Sequence, residues 1–459
     1  MSPSVLNLQP EEIDTTEKRE KYVVSILGCE HVGVLCACLF AEAGFKVTCM
    51  DSNPTVVNLL NKGKAPLMNQ EVESRLRALV KTGHVRATTD LKNVVSQSDV
   101  IVITTSAKID EKKKVDYSEI ENVCKQVGSD LRRGSLVIAV GIVGFGFTEG
   151  VIGKILENTS GLKVGIDFGL AYSPIQIPRE QTMESLIKQE LKVAASEKNS
   201  LNSASMILET ITKKSTKKTL NIKTAELAVL FEAVQRDVNL ALTNELAIFC
   251  EKASWDYLEI FKLLNSSSPS GVSLPTLAEE NDQKETYLLL EDAENLNAKL
   301  CITPIAREAN EEIFKHAVNL TQSALRDCGK TLRRARIALL GLTKTANMKT
   351  PQKIAAKTLA EILGAKGAKI TLHDPYISEN ELTETPYPFK RSMLQALEGT
   401  DCAIILTGHD QFKRPNFRKL KVIMKMPAAI IDFEGIIEPD KVEKEGFIYR
   451  GLGRGVWKK

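Results

Sequence analysis

The chain has 459 residues, 43% hydrophobic and 26% charged, with 61 basic against 58 acidic side chains and a formal net charge of +3. At about 150 residues per domain, that length implies two or three domains with cores of their own, and the composition excludes a disulfide mini-protein or a disordered chain. A balance so near neutral calls for neither nucleic acid nor an anionic membrane as partner.

Residues 1–20 lack the apolar core of a signal peptide and read as a polar tail. No apolar run approaches the roughly 18 residues of a spanning helix, so no membrane segment is expected. The nine cysteines are scattered without a C-x-x-C pair, an odd count that argues against a disulfide framework. They read as small buried hydrophobes of a cytoplasmic protein, and no metal ligand set is assigned.

Residues 22–27 form a short apolar strand pattern, followed by a glycine turn, a helix over 31–43, and a strand at Lys46–Met50 closing on Asp51. This is a βαβ unit. The rhythm continues with strands at Asp99–Thr104, Ser135–Val140, Lys163–Phe168 and Leu191–Ala194 and a helix over Tyr117–Val127. Such alternation implies an open, mostly parallel sheet. Apolar residues from Leu227 to Ile248 then fall at three- and four-residue steps, which predicts one long helix over 224–264, capped by Thr224 with Glu226 in its first turn. Two further helices are expected near 285–296 and 303–327, packed against it. From 335 the alternation restarts, with strands at Arg336–Leu340, Lys369–Leu372, Thr400–Thr407 and Ala428–Asp432 and a helix over 351–366. The six cations between Lys413 and Lys425 read as a solvated face.

Several segments together resemble the nucleotide-sugar dehydrogenase family, which includes UDP-glucose and UDP-N-acetylmannosamine dehydrogenases. The carriers are Thr224-Ala225-Glu226-Leu227 leading to Arg236-Asp237-Val238-Asn239, then Ala306-Arg307-Glu308-Ala309-Asn310-Glu311, Asp374-Pro375-Tyr376, and the ending Gly446 to Gly455. The resemblance covers roughly residues 21–455. It implies an α/β protein with two Rossmann-like doubly wound parallel-sheet domains, joined by a central helical domain with a long helix. The NAD-binding-type domain is expected at 21–215, the central dimerisation-type domain at 216–330 and the UDP-binding-type domain at 331–459. It also implies a UDP-sugar ligand, a place in polysaccharide biosynthesis, and a homodimer, or a heteromer with an active paralogue, through the 224–264 helix.

Family members oxidise a sugar alcohol to a carboxylate through a cysteine-bound intermediate, with a lysine, an asparagine and a glutamate assisting. Carried across by position, these roles fall on residues unable to perform them. The glutamate position is Ile175, the lysine Val229, the asparagine Ala233 and the nucleophile Asn281. Cys301 is a tempting substitute for the nucleophile, and reads instead as a buried helix-start residue. No residue is therefore assigned as catalytic.

The cofactor loop Gly28-Cys29-Glu30-His31-Val32-Gly33 stands where G-x-G-x-x-G belongs, with Glu30 replacing the second glycine. Gly28, Gly33 and Asp51 are the candidate NAD contacts. Two readings of them stand open: an NAD site weakened by Glu30, or residues that serve only the turn, the packing and a cap. Lys284 and Lys344 are the candidate substrate contacts. A further cofactor contact is altered at Ile142, where the family has a hydroxyl, and Glu434 stands in place of the arginine expected after Asp432. The favoured reading is a non-catalytic pseudoenzyme with a binding, regulatory or scaffold role. The alternatives are an active UDP-sugar 6-dehydrogenase and a two-electron dehydrogenase in which His31 or His373 carries a proton.

Overall fold

The computed structural model describes residues 4–65, 70–110, 112–175, 183–212, 214–266, 272–277, 284–350, 352–379, 382 and 385–455. The chain divides into two compact units, Met1–Ala233 with Lys284–Ala298, and Val234–Gln283 with Lys299–Lys459. The stretch 216–330 is shared between them.

The first unit holds an eight-stranded sheet. Its strands are β1 (Val23–Leu27), β2 (Lys46–Met50), β3 (Val85–Thr88), β4 (Val100–Ile103), β5 (Leu136–Ala139), β6 (Gly169–Tyr172), β7 (Lys192–Ala195) and β8 (Lys217–Thr219). Their order is β8-β7-β6-β5-β4-β1-β2-β3, parallel except where β7 meets β6. The central strands are buried along their whole length, as expected of a parallel sheet covered on both faces. Separate apolar clusters fill the two faces. Register sets Leu27 beside Met50 and Ile103, Ile103 beside Ala139, and Ala139 beside Tyr172. The turns that follow these strands therefore gather at one edge, with the topological switch point between β1 and β4. Helix α1 (His31–Glu42) leaves the first turn; it is apolar nearly all round and is buried from Gly33 to Ala41.

The second unit holds a parallel sheet in the order β10-β9-β11-β12-β13, built from β9 (Arg336–Leu340), β10 (Lys369–His373), β11 (Cys402–Ile405), β12 (Ala429–Asp432) and β13 (Ile448–Gly451). It too has an apolar cluster on each face. Here the switch point lies between β9 and β11.

Several expectations are corrected. Residues 4–20 are not a polar tail. Val5, Leu6, Leu8 and Ile13 are buried, Val5 N–H donates to Gly134 O at 3.0 Å, and Arg19 Nη1 donates to the α1 terminus at Ala43 O, 2.9 Å. Lys163–Phe168 is a turn rather than a strand. Asp167 accepts from Lys163 N–H at 2.9 Å and Gly165 takes φ 78°, so the strand starts only at Gly169. The long helix is two helices, α2 (Ile222–Lys252) and α3 (Tyr257–Leu264). Ser254 turns left-handed at φ 58°, and Asp256 caps α3 while pairing with Arg454 Nε at 3.0 Å. At the start of α2, the Asn221 side chain, not Thr224, accepts from an end N–H, that of Thr224 itself at 3.2 Å. Helices α4 (Lys284–Asn295) and α5 (Ile302–Asp327) match their expected positions; α4 belongs to the first unit and α5 to the second.

Candidate active site

Gly28 follows β1 with φ 97°, and a Cβ there would lie 2.7 Å from Thr104 Oγ1. A Cβ on Gly33 would lie 1.9 Å from the carbonyl oxygen of Gly28, so α1 packs on the turn only because residue 33 has no side chain. Position 30 is different. Glu30 is the N-cap of α1 in extended backbone (φ −76°, ψ −166°), exposed, and its carbonyl accepts the first helical bond from Val34 at 3.0 Å. Any residue adopts that conformation. The fold thus requires the two glycines that remain, and nothing in the fold requires the one that is missing. A glycine at 30 serves close approach of a pyrophosphate, and a carboxylate beside a helix N-terminus opposes phosphate charge.

Asp51 accepts from Cys29 N–H at 3.0 Å and from Asn53 N–H at 2.9 Å, tying the glycine turn to the turn after β2. The residues present therefore match the ribose side of a dinucleotide site and fit its pyrophosphate side poorly.

The loop after β5 is held by side chains. Ile142 N–H donates to Ser106 Oγ at 3.2 Å and Gly144 N–H to Tyr117 Oη at 3.0 Å. Phe145 N–H donates to Asp292 at 2.7 Å, and Gly146 and Thr148 N–H donate to the two oxygens of Glu226 at 2.6 and 2.9 Å. Tyr117 also stacks on Phe147 with centroids 3.9 Å apart. Glu226 is fully buried; burial pushes its carboxyl up, against the loop's hydrogen bonds that pull it down. The sequence places Glu226 in a helix first turn and singles out neither Asp292 nor Tyr117. The available signal is an acid among the apolar residues that open α2.

Ile175, Val229 and Ala233, the positions onto which the resemblance carries the family's chemistry, are 3%, 1% and 3% exposed. Ile175 belongs to the main apolar cluster of the sheet, with its N–H on Val140 O at 3.2 Å. Asn281 and the side chain of Lys284 lie outside the described residues; Lys284 opens α4. Cys301 does start a helix, but it is exposed rather than buried, lying on the outward side of the α5 start with Ile302 and Ile305, while Thr303 and Ala306 face inward. The other eight cysteines are buried. Burial pushes the Cys36 and Cys124 thiols up to about 12, which leaves them protonated and inert at neutral pH.

In the second unit, Asp374 at the end of β10 is the hub. Its Oδ2 accepts from Leu342 and Thr343 N–H at 2.6 and 2.9 Å and from His409 Nε2 at 3.1 Å; its Oδ1 accepts from Tyr376 N–H at 2.8 Å. Burial raises this carboxyl, but the His409 hydrogen bond and the backbone donors outweigh it, leaving it below the usual range. Lys344 sits half-buried on the loop that follows β9. Lys353 Nζ donates to Leu406 O at 3.1 Å and reaches Glu434 at 3.4 Å. Asp432 is fully buried, and burial pushes it up to about 6. His373 donates through Nδ1 to Lys390 O at 2.8 Å, which ties it to the backbone of its own unit. Among the described residues, no group of three or more His, Cys, Asp or Glu is placed to hold a metal ion, and no helix is long and apolar enough to cross a membrane.

Three family models match the chain. The NAD binding domain of the UDP-glucose/GDP-mannose dehydrogenase family matches residues 22–213, its central domain 223–312 and its UDP binding domain 338–439. A UDP-N-acetyl-D-mannosamine dehydrogenase of Pyrococcus horikoshii is 27% identical over 434 residues, covering 94% of this chain and 99% of its own. A UDP-glucose 6-dehydrogenase of Rhizobium meliloti is 24% identical, covering 94% and 99%. The solved structure of the Pyrococcus horikoshii UDP-D-ManNAc dehydrogenase superposes with a TM-score of 0.85 at 28% identity, covering 95% of this chain and all of that one. A UDP-glucose dehydrogenase from Pyrobaculum islandicum shares the fold, with a TM-score of 0.80 at 21% identity.

Proposed function

Given that the chain belongs to the UDP-glucose/GDP-mannose dehydrogenase family, we propose that it is a non-catalytic member acting as a binding, regulatory or scaffold protein. One observation carries this reading. The residues the fold needs are kept, while those that only the ligand or the chemistry needs are replaced. Gly28 and Gly33 persist where a side chain would strike backbone or Thr104, whereas Glu30 stands where only a pyrophosphate demands glycine. Ile175, Val229 and Ala233 are buried apolar groups, with no capacity to activate water or to stabilise an oxyanion. The Glu30 carboxylate at the start of α1 accordingly argues against NAD as a working cofactor of this chain.

The match of residues 338–439 to a UDP binding domain supports a UDP-type ligand in the second unit. A partner surface is supported by α2, where Leu242, Leu246 and Phe249 recur at helical spacing and are 54%, 42% and 68% exposed. Its occupant is a second copy of the chain, or an active relative with the same helix. The alternative reading, an active dehydrogenase with a non-standard site, draws on the nearly full-length match to a dehydrogenase of Pyrococcus horikoshii. Incubation of purified protein with NAD and UDP-glucose, UDP-N-acetylglucosamine or UDP-N-acetylmannosamine separates the two. No NADH is expected, and stoichiometric NADH would establish the alternative.

A further inference from the structure

In open doubly wound sheets, ligands enter at the carboxyl ends of the strands beside the switch point. In the second unit that crevice lies between the turn after β9 and the turn after β11. The two turns are joined directly. Thr407 Oγ1 donates to Thr343 O at 2.6 Å, and Thr343 Oγ1 lies 3.1 Å from His409 Nε2.

Asn347 completes the closure. Its N–H donates to His409 Nδ1 at 2.9 Å, so Nδ1 is an acceptor and the ring proton sits on Nε2, facing Asp374. Its side-chain oxygen accepts from Asp410 N–H at 2.9 Å and lies 3.5 Å from Tyr376 Oη. The residue holds φ 61°, a left-handed conformation that asparagine tolerates better than most. Tyr376 is tilted over the His409 ring with centroids 5.0 Å apart. Both the main chain and the side chain of one loop residue thus reach across the switch point, and His409 beneath them is fully buried.

We propose that Asn347 is a latch: it holds the loop 343–350 across the crevice of the second unit, and a nucleoside diphosphate binds only to the minor population in which the latch is open. The proposal rests on the UDP-type reading of this unit and adds a regulation to it. Apparent affinity is then reduced by the fraction of molecules that are open. Lys344 and Lys349 ride on the same loop and move with it.

The test is calorimetric titration of UDP into the wild type, Asn347→Gly and Asn347→Asp. Glycine keeps the positive φ and the N–H on His409 but removes the ties to Asp410 and Tyr376, and is expected to bind about tenfold more tightly. Aspartate keeps an acceptor for Asp410 N–H and is expected to bind like the wild type. Equal dissociation constants for wild type and glycine variant would overturn the latch. So would an absence of UDP binding in both, because freeing the loop would then open no nucleotide site. Production of NADH would instead defeat the non-catalytic reading and leave the latch standing.

Discussion

The carbonyl oxygen of Gly28 occupies the space that a Cβ of Gly33 would need, 1.9 Å away. This contact accounts for glycine at 33 without reference to any ligand, and it makes the cofactor loop divisible into structural and ligand-serving positions.

Gly33→Ala is expected to cost about 3 kcal/mol or more, because the obstacle is backbone rather than a movable side chain. Glu30→Gly is expected to change stability by only about 0.5 kcal/mol, since glycine is a tolerated N-cap. It is also expected to let NAD raise the melting temperature more than in the wild type. Denaturant unfolding and thermal melts with NAD check both; an unchanged response of Glu30→Gly to NAD would place the obstacle elsewhere.

Glu226→Ala strips the acceptor from two loop N–H groups and leaves a small cavity in a fully buried place. A loss of about 3 kcal/mol is expected in urea unfolding. A loss below about 1 kcal/mol would mean that the loop finds other partners.

Asp432 titrates up to about 6 in the folded protein, against about 3.9 when unfolded. The folded state therefore holds its proton longer, so this residue's contribution to stability is greatest below about pH 4. It falls by about 3 kcal/mol as pH rises to about 6 and is level above that. Asp432→Asn is expected to flatten that segment of the stability–pH curve; an unchanged slope would contradict the assignment.

Phe249→Asp, alone or with Leu242→Asp, places charge on the exposed stripe of α2. Sedimentation is expected to show a dimer for the wild type and a monomer for the variants, with melting hardly altered. A wild-type monomer that also fails to co-purify with an active relative would remove the partner reading.

Much of the fold is legible in the sequence, because buried parallel strands are apolar runs closed by turn residues. Lys46–Met50 and Arg336–Leu340 coincide with their expected bounds. What escapes is decided by tertiary contact. Leu6 and Ile13 look too sparse to anchor a segment until a core is available to receive them. No glycine or proline marks the break after Lys252; it depends on Ser254 turning left-handed and on Asp256 meeting Arg454. Lys163–Phe168 has the composition of a strand, but Gly165 and Asp167 bend it. The replaced chemical positions are plain in the sequence as residue types. The pair of hydrogen bonds that Glu226 accepts from the loop after β5 is not, since a helix-start acid ordinarily faces water.

The central claim, that this member of the family has kept its scaffold without its chemistry, is tested most directly by NADH formation. The purified protein is incubated with NAD and each of the three UDP-sugars, and the absorbance of NADH is followed. The account predicts no NADH above the sugar-free blank for any of them; NADH formed in proportion to sugar consumed would contradict it.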